Sequence, residues 1–145
     1  MPIAPTRRSP PPAAWLWSGR ALSTVVVLFL VFDGAIKLVQ PAPVVDAFRA
    51  LGYPLPTASG IGVLGLACAV LYAIPRTAVF GAVLLTGLLG GAVSSHVRVG
   101  DPLFSHTLFG VYLGVMAWGG LWLRDDRVRA MLPLRWRTAA ADVEA

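Results

Sequence analysis

The sequence predicts an all-α integral membrane protein: a four-helix bundle with a short interfacial amphipathic helix between its first and second spans. Three observations carry this. Apolar residues make up 57% of the 145 residues and charged residues only 13%, against about a quarter charged in an ordinary soluble domain. The mean hydropathy is +0.72. The apolar residues gather into four runs close to the length that spans about 30 Å of hydrocarbon, with prolines and charges at their borders. A chain of this length makes one domain.

Taken in order, residues 1–20, "MPIAPTRRSPPPAAWLWSGR", form a proline-rich head with Arg7, Arg8 and Arg20. Prolines remove backbone donors, so the head is expected to stay extended until Trp15 and Trp17 reach the membrane interface. A twin-arginine or cleavable export signal is disfavoured. Prolines follow the paired arginines, no small-residue cleavage pattern closes the first apolar run, and three more runs follow. The transmembrane domain is expected over 21–124. Its first span covers about 21–39 and ends at Pro41 and Pro43.

In "VVDAFRALGYP", Val44, Val45, Phe48 and Leu51 share one helical face while Asp46 and Arg49 lie elsewhere. That pattern suits a helix lying in the interface. The second span covers about 59–74, followed by the turn "PRT" with Thr77 as the expected N-cap. The third covers about 78–97. The loop "RVGDPLFS" leads to the fourth, about 106–123, and residues 125–145 form a basic, then acidic, tail.

Four spans place both termini on one side. The termini and the 75–77 turn hold Arg7, Arg8, Arg20, Arg76, Arg124, Arg127, Arg129, Arg135 and Arg137; the other side holds Lys37, Arg49 and Arg98. This positive-inside bias predicts cytoplasmic termini in a multi-pass protein of a bacterial inner membrane. The same distribution accounts for the net charge of +5 through anionic lipid rather than nucleic acid, for which clustered basic and aromatic readers are missing. The lone Cys68 allows no internal disulfide and reads as a small buried hydrophobe. Gly87 and Gly91, Gly110 and Gly114, and the "GIGVLG" of 60–65 are expected to let helices pack closely.

The polar residues are unevenly placed. At about 1.5 Å per residue, Asp33 lies roughly 18 Å along the first span and Lys37 roughly 6 Å further. His96 and Arg98 emerge at the same face from the third span, and His106 and Thr107 open the fourth. Asp33, Lys37, His96, Arg98 and His106 are therefore the candidate ligand-binding residues, with Ser94 and Ser95 as further donors; the other half of the bundle interior is expected to hold little comparable. Asp33 and Lys37 are four apart with the acid first, the favourable order for a helical ion pair, and pairing lessens the cost of a charge in lipid. Lys37 either snorkels to the headgroups or turns inward with Asp33. The histidines have three readings: hydrogen bonds to a loop carbonyl or Asp101, a pocket for an anionic or quinone-like ligand, or metal or haem ligation. The last is the weakest, because two histidines without a third ligand at ligand spacing are a poor metal signal.

The string "GAVLLTGLLGGAVSSHVRVGDPLFSH" at 81–106 resembles the third-span signature of the DoxX-like family of small four-span membrane proteins. The resemblance extends to "DGAIKL" at 33–38, "LGYP" at 51–54, "YAIPRTAVFGA" at 72–82 and "LWLRDDRVRAMLP" at 121–133. It implies a bacterial inner-membrane protein whose wider relatives are associated with membrane oxidoreductase systems, including a thiosulfate–quinone oxidoreductase subunit, or act as assembly factors. It implies no catalytic residue, and the lack of a cysteine pair speaks against direct thiol redox chemistry.

Three functions follow as expectations. The first is an accessory or assembly subunit of a membrane oxidoreductase system, with the bilayer, oxidoreductase subunits or a second copy of the chain as partners. The second is a membrane enzyme or binding protein whose outer-facing polar pocket takes a quinone or sulfur compound. The third is a transporter or channel, disfavoured because the polar groups stop in the outer third of the membrane.

Overall fold

A computed structural model describes residues 13–132. The proline-rich segment before Ala13 and the tail beyond Leu132, for which extended and frayed chain is expected, lie outside the described residues, as do Arg7, Arg8, Arg135 and Arg137. Helix α1 runs over Ala13–Val39, α2 over Ala42–Ala50, α3 over Pro56–Ala73 and α4 over Ala78–Val99. A single π-helical turn, Leu103–Thr107, leads into α5 over Phe109–Arg124, and α6 covers Asp126–Met131. Among the described residues there is no strand.

Helix α1 starts at Ala13, not at Ala21. Pro12 is the last proline before Pro41, so every residue of α1 carries a backbone N–H. Trp15, Trp17 and Arg20 therefore ride on α1 instead of on an extended head. Two residues before Pro41 the helix stops; Gln40 turns into the left-handed region at φ 55° and its Nε2 donates to Ser59 Oγ at 2.9 Å. Helix α2 buries Phe48, half-buries Val44 and Val45, and exposes Asp46 and Arg49. It ends at Gly52, whose φ of 71° suits glycine because no Cβ meets the following carbonyl.

Thr77 precedes α4 as expected but does not cap it. Its hydroxyl donates backward to the Leu71 carbonyl at 2.8 Å, tying the α3–α4 turn to α3 instead. Helices α1, α3 and α4 are each long and apolar enough to cross a membrane. Helix α5 has 16 residues, about 24 Å at 1.5 Å per residue.

The four longer helices form a ring, α1 against α3 and α5, and α4 against the same two. Neighbours run antiparallel. Ser23 near the start of α1 bonds Tyr72 at the end of α3, and Gly34 near its other end meets Gly62 and Leu66. Phe29 of α1 packs on Phe109 at the start of α5, with ring centroids 5.0 Å apart, while Trp118 of α5 donates to Thr86 of α4. The bundle therefore has an Arg124 end and a His96 end.

Close passage explains which glycines matter. A Cβ on Gly19 would lie 2.8 Å from the Gly120 carbonyl, and one on Gly62 would lie 2.9 Å from the Gly34 carbonyl. One on Gly81 would run into the backbone of Leu71 and Tyr72. Small residues here let backbones gain dispersion contacts that lipid would not supply. Gly110 fits the expectation of close packing, since its Cβ would meet the Leu89 carbonyl at 3.1 Å. Gly87 and Gly91 do not, because nothing lies within 4 Å of either position.

The core between these crossings is built from Val26, Leu30, Leu85, Leu113 and Leu121, with the fully buried Tyr72 and the free, buried Cys68. Apolar side chains such as Leu28, Phe32 and Val83 face outward, as a bilayer-embedded surface requires.

The packing predicts opposite effects for two glycines of α4. Gly81→Ala must push α3 away and should destabilise by about 1–3 kcal/mol. Gly90→Ala meets nothing within 4 Å and should be neutral or stabilising by up to about 1 kcal/mol through helix propensity. Thermal unfolding of the two variants in the same detergent measures the difference.

Candidate functional site

At the His96 end the ring does not close. A cavity of about 490 Å³ lies between the helices, under α2 and the segment that follows it. Its existence traces to the glycines of α4: Gly87 and Gly91 both line it, and the backbone there faces open space instead of a neighbouring helix. Phe29, Leu30, Leu64, Leu88 and Leu113 make the deeper walls apolar. Phe48 of α2 and Tyr53 just beyond it cover the cavity, their rings 6.3 Å apart.

Asp33, Lys37, His96 and His106 all line this space, together with Ser95 and Tyr53. Asp33 and Lys37 form a salt bridge one helical turn apart. Lys37 is 17% exposed and Asp33 32%, so the lysine is turned inward and not stretched along the surface. Gly62 makes room for it, with Lys37 Cβ 3.0 Å from where a glycine Cβ would stand.

His96 Nδ1 lies 2.6 Å from Asp101 Oδ2. A carboxylate only accepts, so Nδ1 carries the proton and Nε2 is the ring nitrogen left without a protein partner among the described residues. Gly100, at φ 75°, ends α4 so that the chain turns back and Asp101 N donates to the His96 carbonyl. His106 is brought to the cavity by the π-helical turn that starts after Pro102; its ring lies 6.0 Å from that of His96, and Ser105 Oγ is 2.8 Å from its Nδ1. Single π turns commonly occur at functional sites, because the extra residue re-aims side chains. His106 was expected inside the fourth span, but α5 starts only at Phe109.

Arg98 does not join the group. It is exposed, lies with its guanidinium carbon 5.8 Å from the Tyr53 ring centroid, and donates to the Leu51 carbonyl. Its effect on the cavity runs through Tyr53, which it holds in place. Ser94 is exposed and does not line the space, whereas the buried Ser95 does. Ser95 Oγ donates to the Gly91 carbonyl at 2.9 Å, so the 2.8 Å contact with Tyr53 has the tyrosine hydroxyl as donor. Tyr53 was not singled out in the sequence. Its signal is its place directly after the Gly52 turn, where a helix-end aromatic folds back.

Among the described residues no group of three His, Cys, Asp or Glu side chains is placed to hold a metal. The arrangement is an apolar chamber with a cation, two imidazoles and a phenol at one end. It can desolvate the greater part of a small molecule while the Lys37 ammonium donates to an oxygen at its tip; the Tyr53 and His96 protons are already given to Ser95 and Asp101.

The opposite end holds more polarity than expected. Tyr72 OH donates to the Ala117 carbonyl at 2.7 Å and lies 3.0 Å from Ser23 Oγ. Arg124 stacks on the Tyr72 ring, 5.1 Å from its centroid, and donates to the Tyr72 carbonyl at 3.1 Å. The expectation that this half of the interior holds little is thereby corrected: its polar groups come singly from three helices and form no sequence cluster.

Removing one partner of the Asp33–Lys37 pair leaves the other charge facing an apolar chamber. Lys37→Met should destabilise by about 1–3 kcal/mol, short of the full buried-pair penalty because Asp33 keeps part of its exposure. The double variant Asp33→Asn/Lys37→Met should recover much of that loss. Thermal melts of both variants decide it.

Compared with known proteins, the chain matches no curated protein sequence and no solved structure. The model of the DoxX-like family matches residues 21–120, a stretch that contains α2, α3 and α4, the π-helical turn, and Asp33, Lys37, His96 and His106. With a match over most of its length and with helices that suit a bilayer, the chain belongs to the DoxX-like family and is a multi-pass membrane protein.

Proposed function

We propose that the chain crosses the bilayer four times and binds an apolar small molecule of the quinone class in the cavity at the His96 end. The observation that carries this is the pairing of an open, glycine-floored apolar chamber with the inward-turned Lys37 at its polar end. A quinone has a carbonyl for such a donor and an apolar body for the leucine and phenylalanine walls. For the fourth span, the π-helical turn adds its length to α5, and modest mismatch is absorbed by local thinning of the bilayer. The arginine excess at the Arg124 end supports cytoplasmic termini in a bacterial inner membrane, which puts the cavity toward the outer face and α2 along that interface.

A second reading, an accessory or assembly subunit of a membrane oxidoreductase system, draws on a different observation. Gly60, Gly90 and Gly119, from three helices, have nothing within 4 Å of a Cβ, so a further helix could approach closely there. The partner is then an oxidoreductase subunit or a second copy of the chain. The readings are compatible: a subunit that holds quinone serves an oxidoreductase. Transport has no such support, since Val26, Leu30, Leu85 and Leu113 fill the bundle between its two ends.

Equilibrium binding of an alkyl-substituted benzoquinone to the full chain in nanodiscs tests the first reading. Saturable binding is expected, weakened at least about tenfold by Gly91→Leu, which fills the chamber with a side chain worth roughly 1.5–3 kcal/mol of burial. Gly90→Leu, one residue earlier and outside the cavity lining, should leave it unchanged. Partitioning that does not saturate, or equal binding by the two variants, contradicts the reading. Co-purification in mild detergent tests the second: recovery of neither a partner subunit nor a dimer counts against it.

A further inference from the structure

The Arg124 end carries a second recess, separate from the cavity. Helix α1, the last turn of α3 and the last residue of α5 enclose a groove of about 210 Å³. Arg20, Ser23, Thr24 and Arg124 line its polar part, and Val27 and Leu28 continue it along α1 toward the middle of the bundle. We propose that this groove binds an anionic phospholipid, its phosphodiester between Arg20 and Arg124 and an acyl chain along Val27 and Leu28.

The charge balance of the groove supports an anion. Among the described residues neither arginine has a carboxylate partner, and no acidic side chain lines the recess. The nearest acids in the chain are engaged elsewhere: Asp125 accepts from the Arg127 backbone N–H at 2.8 Å, and Asp126 pairs with Arg129. Two guanidinium groups that share a groove without a counter-ion attract an oxyanion able to accept from both.

Both arginines are also held in place. Arg124 is fixed by the ring and the carbonyl of Tyr72, and Arg20 lies 5.6 Å from the centroid of the Trp17 ring. The Nε of Arg124 is buried and has no protein acceptor. That nitrogen is sealed inside the bundle, so the terminal nitrogens of Arg124 are the ones that can reach an anion in the groove. Thr24 adds a hydroxyl donor, while Ser23 spends its own on the Tyr72 hydroxyl.

A lipid, and not a soluble phosphate, fits the remainder. The wall beyond the arginines is apolar, Leu28 is exposed on the outside of α1, and Trp15 and Trp17 stand exposed at the same end. Tryptophans at that level are where a bilayer keeps its headgroups, and basic recesses between membrane helices suit anionic headgroups. The inference needs this end to reach a headgroup layer; it does not depend on what the cavity at the other end binds.

Native mass spectrometry of the full chain, released from equimolar phosphatidylglycerol and phosphatidylcholine, tests the site. Phosphatidylglycerol should be retained about fivefold over phosphatidylcholine, and Arg20→Gln should reduce retention by about that factor. Arg124→Gln should do the same wherever circular dichroism shows it folded. Arg76→Gln, in the exposed α3–α4 turn outside the groove, should not. Equal retention of the two lipids, or an Arg76→Gln loss as large as that of Arg20→Gln, overturns the site. Displacement of the lipid by glycerol phosphate at equal concentration overturns the acyl contact and leaves a soluble-anion site instead.

Discussion

The fold depends on how closely its helices can pass. In lipid there is no hydrophobic gain from bringing two apolar helices together, so association rests on packing contact and on the few hydrogen bonds between them. The chain meets this with glycines at the crossings: Gly19 against Gly120, Gly34 against Gly62, Gly81 against the end of α3, and Gly110 against Leu89. Each crossing brings backbone against backbone or against a short side chain. Tyr72 adds a polar tie between α1, α3 and α5 at one end. Where glycines of α4 have no opposing helix, at Gly87 and Gly91, the same smallness leaves a void.

That contrast defines what could be read from the sequence. The all-helical class, the apolar rods and the stops before Pro41, Gly52 and Pro75 were legible because apolar runs, prolines and glycine turns act locally. The starts of α1 at Ala13 and α5 at Phe109 were not. The gathering of Asp33, Lys37, His96 and His106 at one end followed from helix rise and alternating direction alone. The cavity was not legible, since a glycine pair four residues apart looks the same whether a helix packs on it or nothing does. Arg98 was misplaced because counting residues gives depth along a helix but not the direction of a side chain. It points toward Tyr53, on a turn whose path depends on the left-handed Gly52. Tyr72 and Ser23 escaped notice because each stands alone in its own apolar run and becomes polar company only in three dimensions.

The two ends are chemically distinct. At the His96 end Asp33 pairs with Lys37 and Asp101 accepts from His96 Nδ1, with an apolar chamber beside them. At the Arg124 end, guanidinium groups without carboxylate partners among the described residues face a shallow groove. Half-buried charge is tolerated in the first because Asp33 and Lys37 compensate each other, and unpaired charge in the second suits anionic surroundings. Between them, among the described residues, a buried apolar core that includes Val26, Leu85 and Leu121 separates the two recesses.

The quinone reading turns on whether the chamber between α1 and α4 is an occupied site or a gap that lipid pressure closes. An experimental map of the protein in nanodiscs containing an alkyl-substituted benzoquinone tests this most directly. Elongated density in the chamber, with its polar tip in hydrogen-bonding range of Lys37 Nζ, is the expected result. Helix α4 settled onto α1 with Gly87 and Gly91 packed against Leu30, and no room for a ligand, would contradict it.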